Sequence, residues 1–397
     1  MATENNNKTL NVPNLRFPEF SGEWDRIKVS DLLEFYPTNS LSWEQLDYSG
    51  EGIFNLHYGL IHKGLPTQVD VSENNLPTIK DEYIPKKMSL CQNGDVAFAD
   101  ASEDTNDVAK CIEFANCDEQ KIVCGLHTIH GRDTQNKTVT GYKGYAFSAR
   151  IFREQIRRLA QGTKIYSINS HNFSECYIGI PCKEEQSKIS NLLHTVDLRI
   201  ATQIKIIEKL ESLIKGLCSS LFDKNKYDSF VRLGDISEIT NGNSDVQDAS
   251  LSYSDGMYPF FDRSEDIKFL PEYLLDKEAI IYPGEGSEFY PRYYNGKFAL
   301  HQRCYAIYDI APNFATRYLY FFCKTQNSYF VRNAVGSTVA SLRLDTFKRL
   351  NIPNIPIELQ KTYVQLLDKI ETKIVDNKTV LKKYEEQKRY LLSKMFI

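Results

Sequence analysis

The chain has 397 residues, enough for two or three domains with cores of their own. No apolar run approaches the ~20 residues of a membrane span. The net charge of −4 argues against a blanket polyanion binder, whose affinity comes from many Lys/Arg–phosphate contacts, but leaves room for a reader of a few bases.

Residues 1–23 read as an N-terminal arm. Its start is polar and Asn-rich, without the apolar stretch of a signal peptide. Pro13 and Pro18 break any helix, and Phe17 and Phe20 are placed to pin the arm to the body. Residues 24–182 form a first module. Short β-like runs at 95–98, 121–123 and 177–180 alternate with loops rich in Asn, Asp and Gly. Residues 144–161 read as one helix with Arg150, Arg153 and Arg157 on one face, either a solvated face or a phosphate-binding one. A Gly162-Thr163 turn, a run to Phe173 and a strand closing on Pro181 complete the module.

Residues 183–222 then read as one long helix of about 60 Å, at 1.5 Å per residue. Leu193, Ile200, Ile207, Ile214 and Leu221 form one heptad row; Ile189, Val196, Gln203, Leu210 and Leu217 form another. A seven-residue apolar repeat marks a helix that buries a seam against a second helix.

The pattern repeats. A second module covers 223–356 and a second long helix 357–397. An offset of 174 lays Gln186 on Gln360, Val196 on Ile370, Ile207 on Leu381 and Phe222 on Phe396 without a gap. The same offset lays His127 on His301, Phe147 on Phe321 and Gly162–Phe173 on Gly336–Phe347. Residues 230–236 resemble 24–32, and 279–282 read as a strand before a Gly-Glu-Gly turn. The chain is a tandem duplication. Matched positions are mostly apolar, glycine or small, as a scaffold requires; the differing ones lie in loops, where distinct specificities or simple drift would both put them.

Two such helices can pair antiparallel as a coiled coil, through Leu193, Ile200, Ile207 and Ile214 on the first and Leu367, Ile374 and Leu381 on the second. Gln203 and Asn377 are the equivalent polar members of their rows, near mid-helix, and are expected to lie close together across the centre. The modules would then sit at opposite ends of a stiff spacer. Half-sites one DNA turn apart lie ~34 Å apart, a distance such a spacer could set.

The chain resembles the specificity (S) subunit of type I restriction–modification enzymes. The opening Val12-Pro-Asn-Leu-Arg-Phe-Pro-Glu-Phe-Ser-Gly-Glu-Trp24 is similar to N-termini common in that family. So are the module endings, Gly162 to Gln186 and Gly336 to Gln360: a Gly-Ser/Thr turn, a serine, a strand closing on proline, then Gln and a long helix. The first copy ends Ile178-Gly-Ile-Pro181 and the second Ile352-Pro-Asn-Ile-Pro356, a departure at the strand end.

The resemblance implies an α/β protein: two mixed α/β target-recognition domains, each followed by a long helix, the helices pairing antiparallel. It implies a non-catalytic reader of double-stranded DNA with an asymmetric bipartite target, and the odd number of scattered cysteines reads as reduced thiols in the cytoplasm. Two DNA adenine methyltransferase subunits would dock on it, and restriction subunits through them; S-adenosylmethionine, ATP and Mg would belong to those partners, not to this chain. A methylase-only system and a coiled-coil protein-binding scaffold are the alternatives. No catalytic motif is visible: Asn295-Gly-Lys297 lacks the rest of a phosphate-binding loop, and no Asn-Pro-Pro-aromatic motif occurs. The nine cysteines are scattered and form no C-x-x-C pair, and Cys111, Cys117 and Cys124 are spaced wrongly for zinc, so no metal is expected.

The candidate DNA contacts come from the matched stretches. His127 falls on His301 under the offset, and His130 and Arg132, and Gln302 and Arg303, follow in the same stretches; Arg can bridge guanine and Gln can pair with adenine. The two histidines read equally well as core residues. Lys164, Tyr166 and Asn169 fill variable slots after Gly162, and Arg343 one after Gly336, where the glycine serves a plain turn or a close approach to phosphate. Arg263, Ser264, Arg292 and Tyr293 are added from polar loops of the second module. Lys205, Lys209, Lys378 and Lys382 read as solvating the helices or meeting the methyltransferase subunits.

Overall fold

A computed structural model describes residues 10–72, 76–117 and 120–397; the first residues of the arm, 1–9, lie outside them. The chain forms two compact units. One runs to Gln203 and includes Val380–Ile397; the other is Ile204–Thr379. Each unit therefore holds one module, half of the first long helix and half of the second. The sequence-based division, which gives each helix a segment of its own, cuts the chain differently.

Both modules are closed by the same clasp. In the first, the entry strand Asp25–Lys28 pairs antiparallel with the exit strand Tyr177–Ile180, Ile27 opposite Ile178. In the second, Phe230–Arg232 pairs with Asn351–Pro353, Val231 opposite Ile352. A one-turn helix follows each entry strand, Val29–Leu32 and Leu233–Ile236. The departure at the strand end leaves the pairing intact, because Pro353 sits at the last paired position, where a missing N–H is tolerated.

Between entry and exit the modules diverge. The first builds a five-stranded mixed sheet in the order Glu34–Tyr36, Thr128–Arg132, Val96–Ala99, Cys111–Ala115, Gln68–Asp70, and a four-stranded sheet around Ile53–Leu56. The second builds one six-stranded sheet whose long strands Leu275–Pro283 and Arg292–Leu300 form a hairpin.

Residues 144–161 are two helices, Tyr142–Ser148 and Arg150–Leu159, broken at Ala149, whose ψ is 146°. The break has a packing reason. Phe147 and Phe152 are both fully buried with rings 4.9 Å apart, whereas on one unbroken helix they would point about 140° apart. Ser148 Oγ donates to the Gly144 carbonyl at 2.7 Å and helps end the first helix.

The long helices are Lys183–Leu221 and Ile357–Lys394. On the first, every member of the two heptad rows is buried or half-buried, while Leu198, Ile204, Ile206 and Leu213 outside them are exposed. On the second, Leu367, Ile370 and Ile374 are buried and Asn377 and Leu381 half-buried. In the first unit Asp197 pairs with Lys388 at 2.6 Å and Arg199 lies over Tyr384, so the helices run antiparallel. The second unit carries its own pair, Glu211 with Lys378 at 2.7 Å. Toward their outer ends the rows meet module cores rather than only a partner helix. Leu193 packs with Trp24, Phe147 and Phe396, and Leu367 with Phe222, Tyr318 and Phe322. Gln203 is buried, and Asn377 donates to the Lys373 carbonyl of its own helix at 2.6 Å.

Each long helix is docked by one glutamine that has no exposed surface. Gln186 accepts from the Val139 N–H at 2.8 Å and donates to the carbonyls of Lys137 and Pro181 at 3.1 and 2.9 Å. Gln360 accepts from Ala315 N–H at 2.9 Å and donates to Asn313 and Ile355 at 3.0 and 2.9 Å. The arm is tied to the same corner: Arg16 makes a forked pair with Glu185 at 2.7 Å, and Leu15 N–H donates to Lys394 O. Phe17 packs on the core, with Phe20 against its edge.

Replacing Gln186 or Gln360 by Leu leaves three backbone groups of each network without partners. The expected loss is about 2–4 kcal/mol, at roughly 1–3 per buried unsatisfied group with partial relaxation. Urea unfolding of the single variants against the parent chain measures it.

Candidate nucleic-acid interface

In the second module, five of the sequence-selected residues converge. Arg263, Ser264, His301, Gln302 and Arg303 line one recess of about 540 Å³, together with acidic residues. The recess is pre-assembled. Buried Asp262 accepts from Ser264 N–H at 2.8 Å and from Lys268 Nζ at 2.5 Å. Arg303 Nη1 reaches both oxygens of Glu285, at 2.7 and 2.8 Å, and its backbone N–H donates to His301 Nδ1. Gln302 Nε2 donates to Asp245 at 3.3 Å. Arg263 is exposed and, among the described residues, has no hydrogen bond or ion pair.

Arg292 does not face solvent here; it clamps the loop. Its guanidinium lies over the Phe261 ring and donates to the carbonyls of Asp262 and Ser264. Burial pulls it below the usual guanidinium range. Tyr293 does not join the recess, contrary to the expectation from its polar loop. Neighbours on a strand face opposite ways, so Tyr293 turns away from Arg292, donates to Glu278 at 2.6 Å and lies under Arg317. Arg317 in turn pairs with Asp368 and Glu371 on the second long helix. Tyr293 belongs to the docking of that helix and not to the recess.

The first module spreads its candidates out. His127 is exposed, held at φ 54°, with its Nδ1 3.1 Å from Asp100, and opens on a recess shared with Asn39, Lys87 and Met88. His130 is fully buried, its Nε2 2.7 Å from Asp95 Oδ2, so it cannot reach a base and is struck from the contacts. Asp95 also holds Arg132 through two bonds, at 2.8 and 2.7 Å, and Arg132 donates to the Leu90 carbonyl and lies flat on Tyr36. Arg132 borders a polar recess of about 370 Å³ but is pinned to its wall.

Gly162 and Gly336 have φ of 136° and 113°, and an added Cβ would strike the carbonyl oxygens of Ile165 and Val339. Both glycines are demanded by the chain's own turn, with no ligand needed to explain them. Lys164 is exposed, Tyr166 half-buried in a two-residue strand, and Asn169 caps the helix Ser170–Ser174 by accepting from Asn172 N–H. Arg343 precedes the helix Leu344–Lys348 and is exposed.

Two units with matching clasps and docking glutamines, but unlike sheets and recesses, are what a duplicated reader would show. A sequence model of the type I restriction modification DNA specificity domain matches residues 23–212 and again 226–385. The chain belongs to the type I restriction–modification specificity family. Its fold is similar to the S subunit of the type I system of M. genitalium, with a TM-score of 0.62, 15% identity and coverage of 97% of this chain and 99% of that one. A second similar structure, from work on complex assembly and conformational transition of the type I system, has a TM-score of 0.52 at 14% identity and covers 93% and 96%. No curated protein sequence matches. Among the described residues no helix is long and apolar enough to cross a membrane.

Sequence reasoning missed one strongly basic place in this specificity-family chain. Lys110, Arg150, Arg153, Arg157, Lys388 and Arg389 border a recess of about 630 Å³ in the first unit. Arg153 donates to the Asn106 carbonyl at 2.6 Å, while its buried Nη1 has no partner among the described residues. Burial pulls this guanidinium down to about 10. Spacing on the helix marked the three arginines. Lys110, Lys388 and Arg389 arrive from distant segments, which no local pattern announces.

Asp95 organises the first recess and titrates usefully. Burial alone would push its carboxyl up, but the bonds from Arg132 and His130 outweigh burial and leave it below the ordinary range. A lowered carboxyl pKa stabilises above the unfolded value of about 4 and stops doing so as pH falls through the folded one. Asp95→Asn is therefore expected to cost about 3 kcal/mol at pH 7, and its gap to the parent chain in urea unfolding should narrow on acidification.

Proposed function

We propose that this chain is the DNA-reading, non-catalytic subunit of a type I restriction–modification complex. The observation that carries the reading is one scaffold used twice and furnished differently: common clasps and docking glutamines against a recess built by Arg263, Gln302 and Arg303 in one module and by other residues in the other. Two unlike readers give an asymmetric, split target.

In this reading Arg263, Gln302 and Arg303 meet base edges, with Arg303 pre-oriented by Glu285. His127 and Lys164 are the first module's contacts, and Arg343 adds to the second's. The basic recess around Arg153 takes backbone phosphate. The long helices set the gap between half-sites. Two adenine methyltransferase subunits bind S-adenosylmethionine and do the methylation; restriction subunits with ATP and Mg join through them, in the cytoplasm.

The test is methylation mapping. The chain is expressed with a cognate type I methyltransferase subunit in an unmodified host, and the genome is read for N6-methyladenine. A split asymmetric motif with a fixed gap is expected. Deleting one matched heptad from each long helix removes about 10 Å, or ~3 base pairs, and should shorten the gap accordingly. A soluble complex that methylates nothing and binds DNA without sequence preference would overturn the reading.

The two kinds of contact separate in binding measurements on that complex. Arg263→Ala should cost about 1–3 kcal/mol and relax one half-site only. Arg150→Ala with Arg157→Ala should weaken all sequences alike and lower the salt slope by up to about 2, near 0.9 per phosphate contact.

A further inference from the structure

The four-stranded and five-stranded sheets of the first module enclose a cluster with no part in the reading above. Cys91, Cys124 and His130 are all buried, and their two sulfurs and one ring nitrogen lie within 4.8 Å of one another. We propose that Cys91, Cys124 and His130 bind a thiophilic d10 cation, Zn²⁺ or Cu⁺, that joins the two sheets.

Geometry comes first. The sulfurs are 3.6 Å apart. Two sulfurs at ~2.3 Å from a tetrahedral zinc stand about 3.8 Å apart, so the thiols already hold the edge of a coordination polyhedron.

The histidine supplies an independent observation. Its Nε2 is 2.7 Å from Asp95 Oδ2, and its Nδ1 is buried with no hydrogen-bond partner among the described residues. The tautomer that donates to the carboxylate through Nε2 leaves Nδ1 with an unused lone pair inside the protein. Buried polar atoms without partners are rare and call for an explanation. With Nε2 engaged by Asp95, Nδ1 is the nitrogen we assign as the ligand, and a cation there supplies the explanation. A carboxylate on the far nitrogen of a ligating imidazole is the usual outer support of a metal site, fixing the tautomer and raising the ring's basicity.

Charge closes the account. Two thiolates and a neutral imidazole cancel Zn²⁺, and binding releases the two thiol protons. Asp95 is already neutralised by Arg132, so Zn²⁺ adds no net charge to the interior, and Cu⁺ adds none when one of the two thiols keeps its proton. Three protein ligands suffice for trigonal Cu⁺, and with zinc leave one position for water. Cys124 also borders the recess that holds Lys87 and His127, which gives an entry route. Cys91 precedes the five-stranded sheet and Cys124 ends a strand of the four-stranded one, with His130 in the five-stranded sheet again. The ion would therefore staple the sheets to each other.

The test uses the full chain, purified without chelator. Metal content by mass spectrometry should give one Zn or Cu per chain, and the element found separates the two ions. After chelation, titration with Co²⁺ should give thiolate-to-cobalt charge-transfer bands at one equivalent, bleached by Zn²⁺. Cys124→Ser should abolish these bands, Asp95→Asn should weaken affinity about 10–100-fold, and Cys218→Ser in the second unit should leave both unchanged. The proposal is overturned if the parent chain takes up no metal and gives no charge-transfer bands, if Cys124→Ser binds as well as the parent, or if peptide mapping finds Cys91 and Cys124 joined as a disulfide. The Co²⁺ spectrum of the parent chain decides the matter even where a variant fails to fold.

Discussion

A glutamine without access to water begins each long helix. Its amide has one acceptor and two donor hydrogens, and in both copies every one is used on backbone: Val139, Lys137 and Pro181 around Gln186, and Ala315, Asn313 and Ile355 around Gln360. One partner is the residue that leads into the helix, and the others lie in the module's body. The amide therefore fixes the angle at which the helix leaves. An apolar side chain would bury as much area but specify no direction. A charged one would cost desolvation. Everything that depends on helix direction depends on these two amides.

Around that joint the modules are free to differ. The clasps need only two short strands and a one-turn helix, and both copies have them. Between the clasps one copy makes two sheets and the other a single six-stranded sheet. A scaffold that confines its requirements to joint and clasp leaves the intervening chain open to change without loss of docking.

What could be read from residues alone follows from this division. The duplication, the long helices, the exit strand Tyr177–Ile180 and the paired glutamines repeat at one spacing, so they were legible. The role of Gln186 and Gln360 was not, because their partners are backbone groups that no side chain announces. His130 and Tyr293 failed as contacts for different reasons. Tyr293 takes the opposite face of its strand from Arg292, and His130, on the same face as Arg132, is buried against Asp95, which lies 35 residues away in sequence. Arg263, Gln302 and Arg303 do converge, because one loop and one tight turn bring them together. Arg150, Arg153 and Arg157 were seen as a face, but their basic neighbours came from elsewhere in the chain. The thiols at 91 and 124 are 33 residues apart, far outside any spacing that reads as a ligand pair.

The last residues of the chain complete the first core. Phe396 stacks edge-on against Trp24 with ring centres 6.4 Å apart, and Leu391, Met395 and Phe396 all belong to the cluster that holds Phe98, Phe147 and Phe173. The second unit draws on nothing beyond Thr379. Synthesis runs from the N-terminus, and domains ordinarily finish in that order. Here the order is inverted. The module made first must wait, with apolar surface around Trp24 uncovered, until the ribosome has released the final turn of the second helix. The N-terminal unit is finished after the second one, and loss of Leu391, Met395 and Phe396 would leave its defect in the part that was made first.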